Sequence, residues 1–494
     1  MKLKNSGTTN RLLGVTVQPM YFQSEGVEVV LDTLAAAGVN AIAISPSVYK
    51  QIDELPSDDA AGLSEELPRR EPPVDGGAGS VRVVERLLWG KEEVLINPSP
   101  SVAPNMEFYE GLKYQPSQAT EFTESTGGLI QQIIDDAHAR GMKVYFQLSA
   151  VQVPSQFDED MQRLPNGEYP RQRMVHTVSL ASDDVRAYIC ARVKDLMTSY
   201  PVIDGLRHDW PEHPPYRLGD AFLDFSENAR RIAASPSLSL GGGFDFESMR
   251  LAADALYNRL QHLTNDDLSA LSDPHSVPYF LAKMLARNPE LAELLRFKAA
   301  LTTLYIKELR EALDSVSQGK DLSPNAFPPP LSLLSGMNFS DVSEHADSIN
   351  MKIYTMHWPQ MIRFYAEELL EYNDIPLDEA LLVKAISNLF DFEDGDTGTS
   401  LKDYRYPSPG DPHRAGLEAQ SRKIRQAQSE VGERAKLYPT VHGYGPSEDF
   451  ETRLRLAWDA GTPGIWINRY CYLGDEKIRA IGRLAGASDS RSAS

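Results

Sequence analysis

The sequence predicts an α/β fold, a (β/α)8 TIM barrel with long loop insertions and a helical insertion after its fourth strand. Three observations lead to this prediction. Short apolar runs typical of buried strands recur along the 494 residues, and segments with apolar residues three and four positions apart separate them. Several helical segments end at a glycine and reach the next apolar run within a few residues. Such alternation is typical of a parallel sheet covered by helices.

The first strand–helix–strand unit shows this pattern. Residues 12–18 (LLGVTVQ) form an apolar run, and residues 27–37 carry apolar side chains at helical spacing. Gly38 then ends the helix, and residues 40–44 (NAIAI) form the second strand. The short connections favour parallel pairing of the two strands.

The remaining predicted strands lie at residues 143–148, 202–209, 331–337, 349–356, 435–441 and 464–467. Predicted helices separate them at residues 129–140, 183–199, 291–316, 361–390, 414–435, 449–460 and 476–484. The sequence indicates no hairpin among the strands, so all eight are expected to be parallel.

The predicted domain organisation is a single catalytic barrel over residues 1–485. Residues 51–125, rich in proline, glycine and glutamate, are expected to form a loop excursion after the second strand. Residues 217–290 are expected to form a helical cap after the fourth strand, and residues 486–494 a disordered tail.

Composition excludes several classes of partner. The formal net charge of −21 disfavours nucleic acid and anionic membranes, both of which require a basic surface. No apolar run approaches the length of a membrane span, and the first ten residues lack the apolar core of a signal peptide. Two cysteines favour a reducing compartment, so the sequence predicts a cytoplasmic protein and leaves a homo-oligomer open.

The candidate ligand-binding residues follow the predicted strands, because working residues of such barrels lie at the carboxyl ends of the strands. The set is rich in amides, aromatic rings and histidines, which suit a neutral ligand with many hydroxyl groups. A carbohydrate is therefore the predicted substrate. The set comprises Gln18, Tyr21, Tyr49, Gln147, Arg207, His208, Trp210, Asn338, His357, Trp358, His442, Tyr444, Asn468 and Arg469. The histidines lack metal-binding spacing, so no metal and no cofactor is predicted.

Residues 202–216 (VIDGLRHDWPEHPPY) contain a dense cluster of ionisable and aromatic residues. The ionisable groups Asp204, Arg207, His208, Asp209 and Glu212 lie within nine residues at the end of an apolar run. Two aromatic residues lie among them or directly after them, and three prolines end the regular structure. This combination predicts a functional strand end.

The stretch DGLRHDW resembles the fourth-strand motif of (β/α)8 glycoside hydrolases. Its Arg207-x-Asp209 pair is similar to that of the α-amylase superfamily, and the resemblance implies that Asp209 is the nucleophile with Arg207 beside it. Residues 182–209 also resemble hypothetical bacterial glycosyl hydrolases described as family-10-like. The amylase pattern departs in two places: Asn338 and Asp341 follow the predicted fifth strand instead of a glutamate, and His442 follows the seventh instead of an aspartate.

We therefore expect a glycoside hydrolase or transglycosidase that acts on a small or trimmed glycan. Asp209 would be the nucleophile or base, and Glu212 or Asp341 the general acid with a pKa raised by a shielded site. One alternative is a sugar isomerase, epimerase or lyase with His208 or His357 as its base. Another is a non-catalytic carbohydrate-binding barrel, because the fold alone does not separate these functions.

Overall fold

Eight parallel strands close into a barrel, and a separate three-stranded sheet flanks them. This architecture is seen in a computed structural model that describes residues 11–54, 79–82, 85–171, 173, 177–238, 243–395 and 397–492. The strands are β1 (Leu12–Thr16), β2 (Ala41–Ile44), β3 (Ser47–Ile52), β4 (Gly79–Arg82), β5 (Glu93–Pro100), β6 (Lys143–Leu148), β7 (Gly205–His208), β8 (Asp321–Ala326), β9 (Ser348–Ile353), β10 (Lys436–His442) and β11 (Gly464–Asn468).

The helices cover the outside of the barrel and fill the insertion after β7. They are α1 (Pro19–Glu25), α2 (Val27–Ala36), α3 (Glu121–Thr126), α4 (Gly128–Ala139), α5 (Asp183–Ser199), α6 (Leu218–Ala221), α7 (Glu227–Ala233), α8 (Phe246–Leu260), α9 (Asn265–Ser272), α10 (Val277–Arg287), α11 (Pro289–Val316), α12 (Leu331–Ser335), α13 (Phe339–Val342), α14 (His357–Tyr372), α15 (Glu379–Phe390), α16 (Leu417–Val431), α17 (Ser447–Asp459) and α18 (Asp475–Ser492).

The barrel order is β1-β11-β10-β9-β8-β7-β6-β2, and pairing of β1 with β2 closes it. Each strand therefore lies beside its neighbour in the sequence of barrel strands, as a (β/α)8 barrel requires. The predicted fold class is confirmed. Seven of the predicted strand positions coincide with barrel strands, and the one predicted at residues 331–337 does not.

Large and small side chains share the barrel interior. Tyr145, Tyr438 and Trp466 pack together there, and the neighbouring strand β2 contributes alanines. Gly14 on β1 is required by this arrangement, because any Cβ at that position would overlap the indole ring of Trp466. The interior is thus a packed layer that supports the residues above it.

The prediction for the fifth strand is wrong. Strand five is β8, with the sequence DLSPNA, and the apolar run at residues 331–335 forms helix α12. A proline and three polar residues make β8 resemble a loop, whereas a short apolar run fits a buried strand and a helix equally well. Gly336, with φ of 87°, ends α12 in the left-handed conformation typical of a helix cap.

The loop excursion predicted after β2 contains strands, so the expectation of no hairpin is wrong. Strands β3, β5 and β4 form an antiparallel sheet in that order. Pro98 and Pro100 lie in β5, the middle strand of this sheet, and prolines argue against a strand when only the sequence is considered. Residues 55–78 and 83–84 of the predicted excursion lie outside the described residues.

Helices occupy the predicted insertion after β7, where α6 to α10 lie between residues 218 and 287. Helix α18 continues to Ser492, so its backbone extends past residue 486, where a disordered tail is predicted. Among the described residues, no helix combines the length and apolar character needed to cross a membrane.

Candidate active site at the carboxyl ends of the barrel strands

Asp209 is the centre of the candidate site. It directly follows β7, and its backbone N–H donates to the carbonyl oxygen of Leu148 at the end of β6 over 2.9 Å. Its Oδ1 accepts hydrogen bonds from Asn325 Nδ2 at 3.1 Å and from Lys352 Nζ at 3.3 Å. Within the described structure, both of these hydrogen bonds are accepted by Oδ1. The Asp209 side chain is 10% exposed. Oδ2 is therefore the oxygen available to a substrate or a water molecule.

The residue after Asp209 has a strained backbone. Trp210 has φ of 43°, a conformation that bulky side chains rarely adopt, and its N–H donates to Asp209 Oδ1 over 3.1 Å. Strained residues of this kind cluster at active sites, where the surrounding structure maintains them. The local geometry therefore supports a functional role for this strand end.

Lys352 on β9 joins the two predicted carboxylates, and sequence reasoning missed it. Its Nζ lies 3.3 Å from Asp209 Oδ1 and 4.0 Å from Glu212 Oε1. The ammonium group also lies over the rings of Trp210 and Phe327, at 4.8 and 4.5 Å from their centroids. The signal in the sequence is a single lysine inside the apolar run INMKIYTM, where strand alternation directs it to the same face as Asn350.

Asp209 stays ionised despite its burial. Burial alone would raise the pKa of this carboxyl, but the Lys352 ammonium, the Asn325 hydrogen bond and the Arg469 guanidinium together outweigh burial and hold the pKa below its usual value. The burial of Lys352 lowers the pKa of its own amine, although both carboxylates oppose this change. The pair therefore behaves as a desolvated carboxylate–ammonium contact.

Glu212 has the opposite character. Its Oε1 accepts from the backbone N–H of Phe327 at 3.0 Å and its Oε2 from the hydroxyl of Ser335 at 2.6 Å. Burial raises the pKa of Glu212 to about 7, and its side chain is 0% exposed. Because Asp209 Oδ1 and Glu212 Oε1 lie 3.3 and 4.0 Å from one nitrogen, these two oxygens are at most about 7 Å apart, which admits both retaining and inverting geometries.

Arg207 acts through Asn325 and makes no hydrogen bond to Asp209. Its guanidinium donates to Thr16 Oγ1 at 3.1 Å and Asn325 Oδ1 at 3.3 Å, and it lies 3.9 Å from the centroid of the Trp466 ring. The bond to Asn325 Oδ1 orients the amide so that Nδ2 faces Asp209. Asn325 is the penultimate residue of the true fifth strand, so its identification depended on placing β8 correctly.

The structure places His208 outside the site, so its predicted role is wrong. Side chains alternate along a strand, and His208 therefore faces the opposite side of β7 from its neighbours Arg207 and Asp209. Its Nε2 hydrogen-bonds the hydroxyl of Tyr305 on α11, and burial lowers its pKa to about 4. The ring is a packed, neutral part of the helix–sheet interface.

The predictions for Asn338 and Asp341 are also wrong, since these residues do not follow strand five. Asn338 caps α13 by accepting from the N–H of Ser340 at 3.0 Å, and its Nδ2 donates to Asp341 Oδ2 at 2.8 Å. Ser340 in turn accepts from Arg434, two residues before the start of β10. Asp341 therefore lies toward the amino ends of the strands, at the opposite end of the barrel from Asp209.

An aromatic cleft lies beside Lys352. The space measures about 10 Å³, close to the volume that one water molecule needs, and is bordered by Tyr216, Tyr354, His357 and Trp358 as well as Lys352. The hydroxyl of Tyr216 lies 3.1 Å from His357 Nδ1. The structure thus brings His357 and Trp358 to the Asp209 cluster, as the sequence predicts.

His442 and Tyr444, at the end of the seventh strand, lie behind Tyr354, which borders this cleft. His442 lies with its ring centroid 5.0 Å from that of Tyr354, and its Nδ1 accepts from the N–H of Tyr444 at 3.2 Å. The Tyr444 hydroxyl donates to the carbonyl of Pro407 at 2.7 Å, which holds the ring in the loop packing. We therefore regard Tyr444 as a positioning residue.

Buried polar atoms without a hydrogen-bond partner lie at or near several strand ends. Within the described structure they include Gln18 Oε1, the Tyr21 hydroxyl, Gln147 Oε1 and Trp210 Nε1. Buried polar groups are normally hydrogen-bonded, so such atoms indicate a place for water or a ligand. All four lie on residues predicted from the sequence to bind substrate.

Three of the predicted substrate-binding residues, Asn468, Arg469 and Tyr49, remain to be placed. Asn468 and Arg469 lie at the site, and Tyr49 lies outside it. Asn468 ends β11 beside Thr16 of β1, and Arg469 after it lies close enough to Asp209 to lower its pKa. Tyr49 belongs to β3, where its hydroxyl lies 3.0 Å from Ser45 Oγ, away from the contacts around Asp209. In the part of the chain that the structure describes, no three His, Cys, Asp or Glu side chains form a group able to hold a metal.

No protein-family model matches the chain, and no curated protein matches it. The resemblances to the α-amylase superfamily and to family-10-like glycosyl hydrolases therefore stay predictions.

Solved structures match the chain across nearly all of its length. The β-galactosidase of the psychrophilic Marinomonas ef1 matches 97% of this chain with a TM-score of 0.50 and 10% identity, and this chain covers 60% of it. The β-galactosidase of Halorubrum lacusprofundi matches 96% with a TM-score of 0.48 and 11% identity, with 57% of it covered. The β-amylase catalytic domain of Paenibacillus polymyxa matches 97% with a TM-score of 0.45 and 9% identity, with 98% of it covered. At these identities the likeness to TIM-barrel glycoside hydrolases is one of fold.

Proposed function

We propose that this protein is a glycoside hydrolase or transglycosidase that acts on a small, neutral glycan at the carboxyl ends of the barrel strands. The observation that carries the proposal is the pair Asp209 and Glu212. Their environments shift the two pKa values in opposite directions, and both carboxylates contact one buried lysine. Opposite shifts in neighbouring carboxyls are the arrangement that assigns one as base or nucleophile and the other as acid.

Asp209 Oδ2 attacks the anomeric carbon, or removes a proton from an attacking water, as the glycosidic bond breaks. The leaving oxygen must gain a proton in the same step. Glu212 is enclosed, so we propose that its proton reaches the substrate through Lys352, which borders the cleft. Lys352 gives a proton to the leaving oxygen and regains one from Glu212. When Asp209 is the nucleophile, the water that then hydrolyses the glycosyl-enzyme gives up a proton, which returns through Lys352 to Glu212. When Asp209 is the base, it takes the proton of the attacking water, and proton exchange with solvent after product release restores Asp209 and Glu212.

The ligand-binding groups suit a carbohydrate. Amide oxygens of Gln18 and Gln147 and the indole N–H of Trp210 are buried without a partner in the described structure. These groups pair with sugar hydroxyls, whereas the rings of Tyr216 and Tyr354 offer apolar faces to the C–H side of a sugar. The site's charges are internally paired, which favours a neutral substrate.

Asp209→Asn tests this proposal. The change keeps the shape of the side chain and removes its charge, so turnover should fall by at least about 10²–10⁴-fold while folding and sugar binding persist. The measurement is hydrolysis of a panel of aryl glycosides and oligosaccharides. Asp204→Asn is the matched control, because Asp204 lies at the amino end of the same strand and bonds to His138 at 2.9 Å. Wild-type turnover by Asp209→Asn on a confirmed substrate would refute the assignment.

A non-catalytic carbohydrate-binding barrel is the second candidate. Two observations favour it: the polar residue near the end of strand five is the amide Asn325, and the Glu212 side chain is 0% exposed. This candidate predicts sugar binding without turnover of any glycoside, and equal affinity in the wild type and Asp209→Asn. The third alternative, an isomerase, epimerase or lyase, now depends on His357 as base, because His208 faces Tyr305.

A further inference from the structure

A second cavity lies beside the barrel mouth and is larger than the cleft at Lys352. It measures about 400 Å³ and lies between the antiparallel sheet and helix α5. We call it the proline groove, because its walls include Pro46, Pro98, Pro100, Pro104, Pro116 and Pro154. A volume near 400 Å³ falls in the range of small-molecule sites, about 300–1,000 Å³.

Hydrogen bonds hold the polar side of the proline groove in place. Asp195 on α5 accepts from the hydroxyl of Tyr109 at 3.0 Å and from the N–H of Asn105 at 3.1 Å. Ser101 accepts from the hydroxyl of Tyr200 at 2.8 Å and donates to the carbonyl of Pro46 at 2.9 Å. Rigid prolines and fixed side chains make a preformed site, which lowers the entropy lost on binding.

The charges in the proline groove favour a neutral ligand. Asp195 is 5% exposed, its oxygens already accept two hydrogen bonds, and the Arg192 guanidinium lies close enough to offset its charge. Serine hydroxyls, the amide of Gln152, the half-buried guanidinium of Arg192 and the ring of Tyr188 make up much of the remaining lining. Such groups bind a hydroxyl-rich molecule with apolar ring faces better than they bind an ion or a lipid chain.

The proline groove and Asp209 both lie close to the carboxyl end of β6. Asp209 bonds through its N–H to Leu148, the last residue of β6, and Gln152 of the groove follows four residues later. Four residues span at most about 14 Å, even when fully extended. Pro46 and Ser47, on the opposite wall, follow the end of β2, so both walls lie at the same end of the barrel as Asp209.

We infer that the proline groove is an accessory carbohydrate subsite, which binds sugar units of an oligosaccharide whose scissile bond lies at Asp209. This inference rests on the proposed function. Binding energy from remote parts of a substrate supports catalysis at the reacting centre. The protein should therefore prefer oligosaccharides to short glycosides that cannot reach the groove.

Ser117→Trp tests the inference. Ser117 is exposed in a loop at the groove, so the indole fills the space without entering the core. Gln118→Trp is the matched control, since it adds the same ring at the next exposed position, outside the groove lining. The probes are malto-, cello-, chito- and galacto-oligosaccharides of two to six units, together with the matching nitrophenyl monoglycosides.

In Ser117→Trp, kcat/KM for the longest accepted oligosaccharide should fall about tenfold or more, while that for the monoglycoside stays unchanged. Calorimetric affinity of Asp209→Asn protein for the same oligosaccharide should fall equally when Ser117→Trp is added. Gln118→Trp should alter neither quantity.

The proline-groove inference and the proposed function fail in distinguishable ways. Turnover of monoglycosides with no effect of chain length or of Ser117→Trp would overturn the groove inference and leave the proposed function intact. Loss of oligosaccharide affinity in Ser117→Trp, in a protein that turns over no glycoside, would support carbohydrate binding in the proline groove and overturn both the proposed function and the subsite role.

Discussion

At the scale of single residues, the chemistry of the site comes from where three ionisable groups are buried. Asp209, Glu212 and Lys352 are each at most 7% exposed, and isolated charges at such depth are costly. One carboxylate and one ammonium neutralise each other, and the second carboxyl is uncharged below its pKa of about 7. A neutral triad of this kind is stable when buried and still holds a transferable proton.

Activity should follow a bell-shaped pH profile. As pH rises through about 7, Glu212 loses its proton and kcat/KM falls; as pH drops below the lowered pKa of Asp209, that carboxylate is protonated and kcat/KM falls again. Glu212→Gln should remove the limb near pH 7 and reduce the rate at all pH values.

Glu368→Gln is the control for this pH profile. Burial also raises the pKa of Glu368 to about 7, but its partner is Arg217 at 3.4 Å. A limb near pH 7 that persists in Glu212→Gln and vanishes in Glu368→Gln would contradict the role of Glu212.

Lys352→Met should lower the stability of the protein and shift the acid limb of its pH profile. Removing the cation leaves Asp209 buried without its charge partner, which costs on the order of 3–5 kcal/mol in buried pairs. The pKa of Asp209 should rise, so the acid limb of the pH profile should move to higher pH. Lys352→Arg retains the charge and should preserve the position of that limb. Measurement needs denaturant unfolding and the pH dependence of kcat/KM, and an unmoved acid limb in Lys352→Met would exclude this pairing.

At the scale of elements, each barrel strand performs two tasks through alternating side chains. On β7, Arg207 supports the interior while His208 packs against α11, and Asp209 follows at the strand end. The interior layer below the site must be filled without overlap for Arg207 to hold Asn325. Trp466 fills that layer, and Gly14 on the neighbouring strand leaves room for it.

Gly14→Ala should destabilise the protein by about 1–3 kcal/mol, because overpacking a filled core forces side chains from their rotamers. Displacement of the Trp466 ring should also reduce activity, since the Arg207 guanidinium lies over that ring. Gly128→Ala is the control: a Cβ there meets nothing within 4 Å, and the residue begins helix α4. Urea unfolding of both variants compares the two sites, and equal stabilities would show that the barrel layer tolerates the methyl group.

At the scale of the whole molecule, closure joins the ends of the chain. Strand β1 pairs with β11 from Leu12↔Gly464 to Thr16↔Asn468, and Arg11 donates to the carbonyl of Trp458 over 2.6 Å. The site therefore depends on residues separated by almost the full sequence, because Thr16 at one end supports Arg207 and Arg469 at the other acts on Asp209.

A chain ending at Pro463 should fail to unfold cooperatively, because removal of β11 leaves β1 and β10 as unpaired edges. A chain ending at Gly486 keeps all eight barrel strands and should retain the full unfolding transition and activity. Thermal unfolding followed by near-UV circular dichroism measures both. A cooperative transition in the chain ending at Pro463 would show that closure is dispensable.

Sequence alone determined the fold class and seven barrel strands, and it singled out Asp209 as the candidate catalytic residue. Apolar runs and helical spacing are local properties of the sequence, and the residues around Asp209 are contiguous. The strands and the cluster at Asp209 can therefore be predicted without knowledge of the tertiary structure. Strand five was not predicted, because DLSPNA lacks an apolar pattern. Its position in the barrel follows from its pairing with β7 and β9. Lys352 and Asn325 belong to strands far from residue 209 in sequence, and only barrel closure brings them to its carboxylate. The pKa values of Asp209 and Glu212 were likewise decided by tertiary structure, because burial and a shared lysine arise only when distant segments pack together.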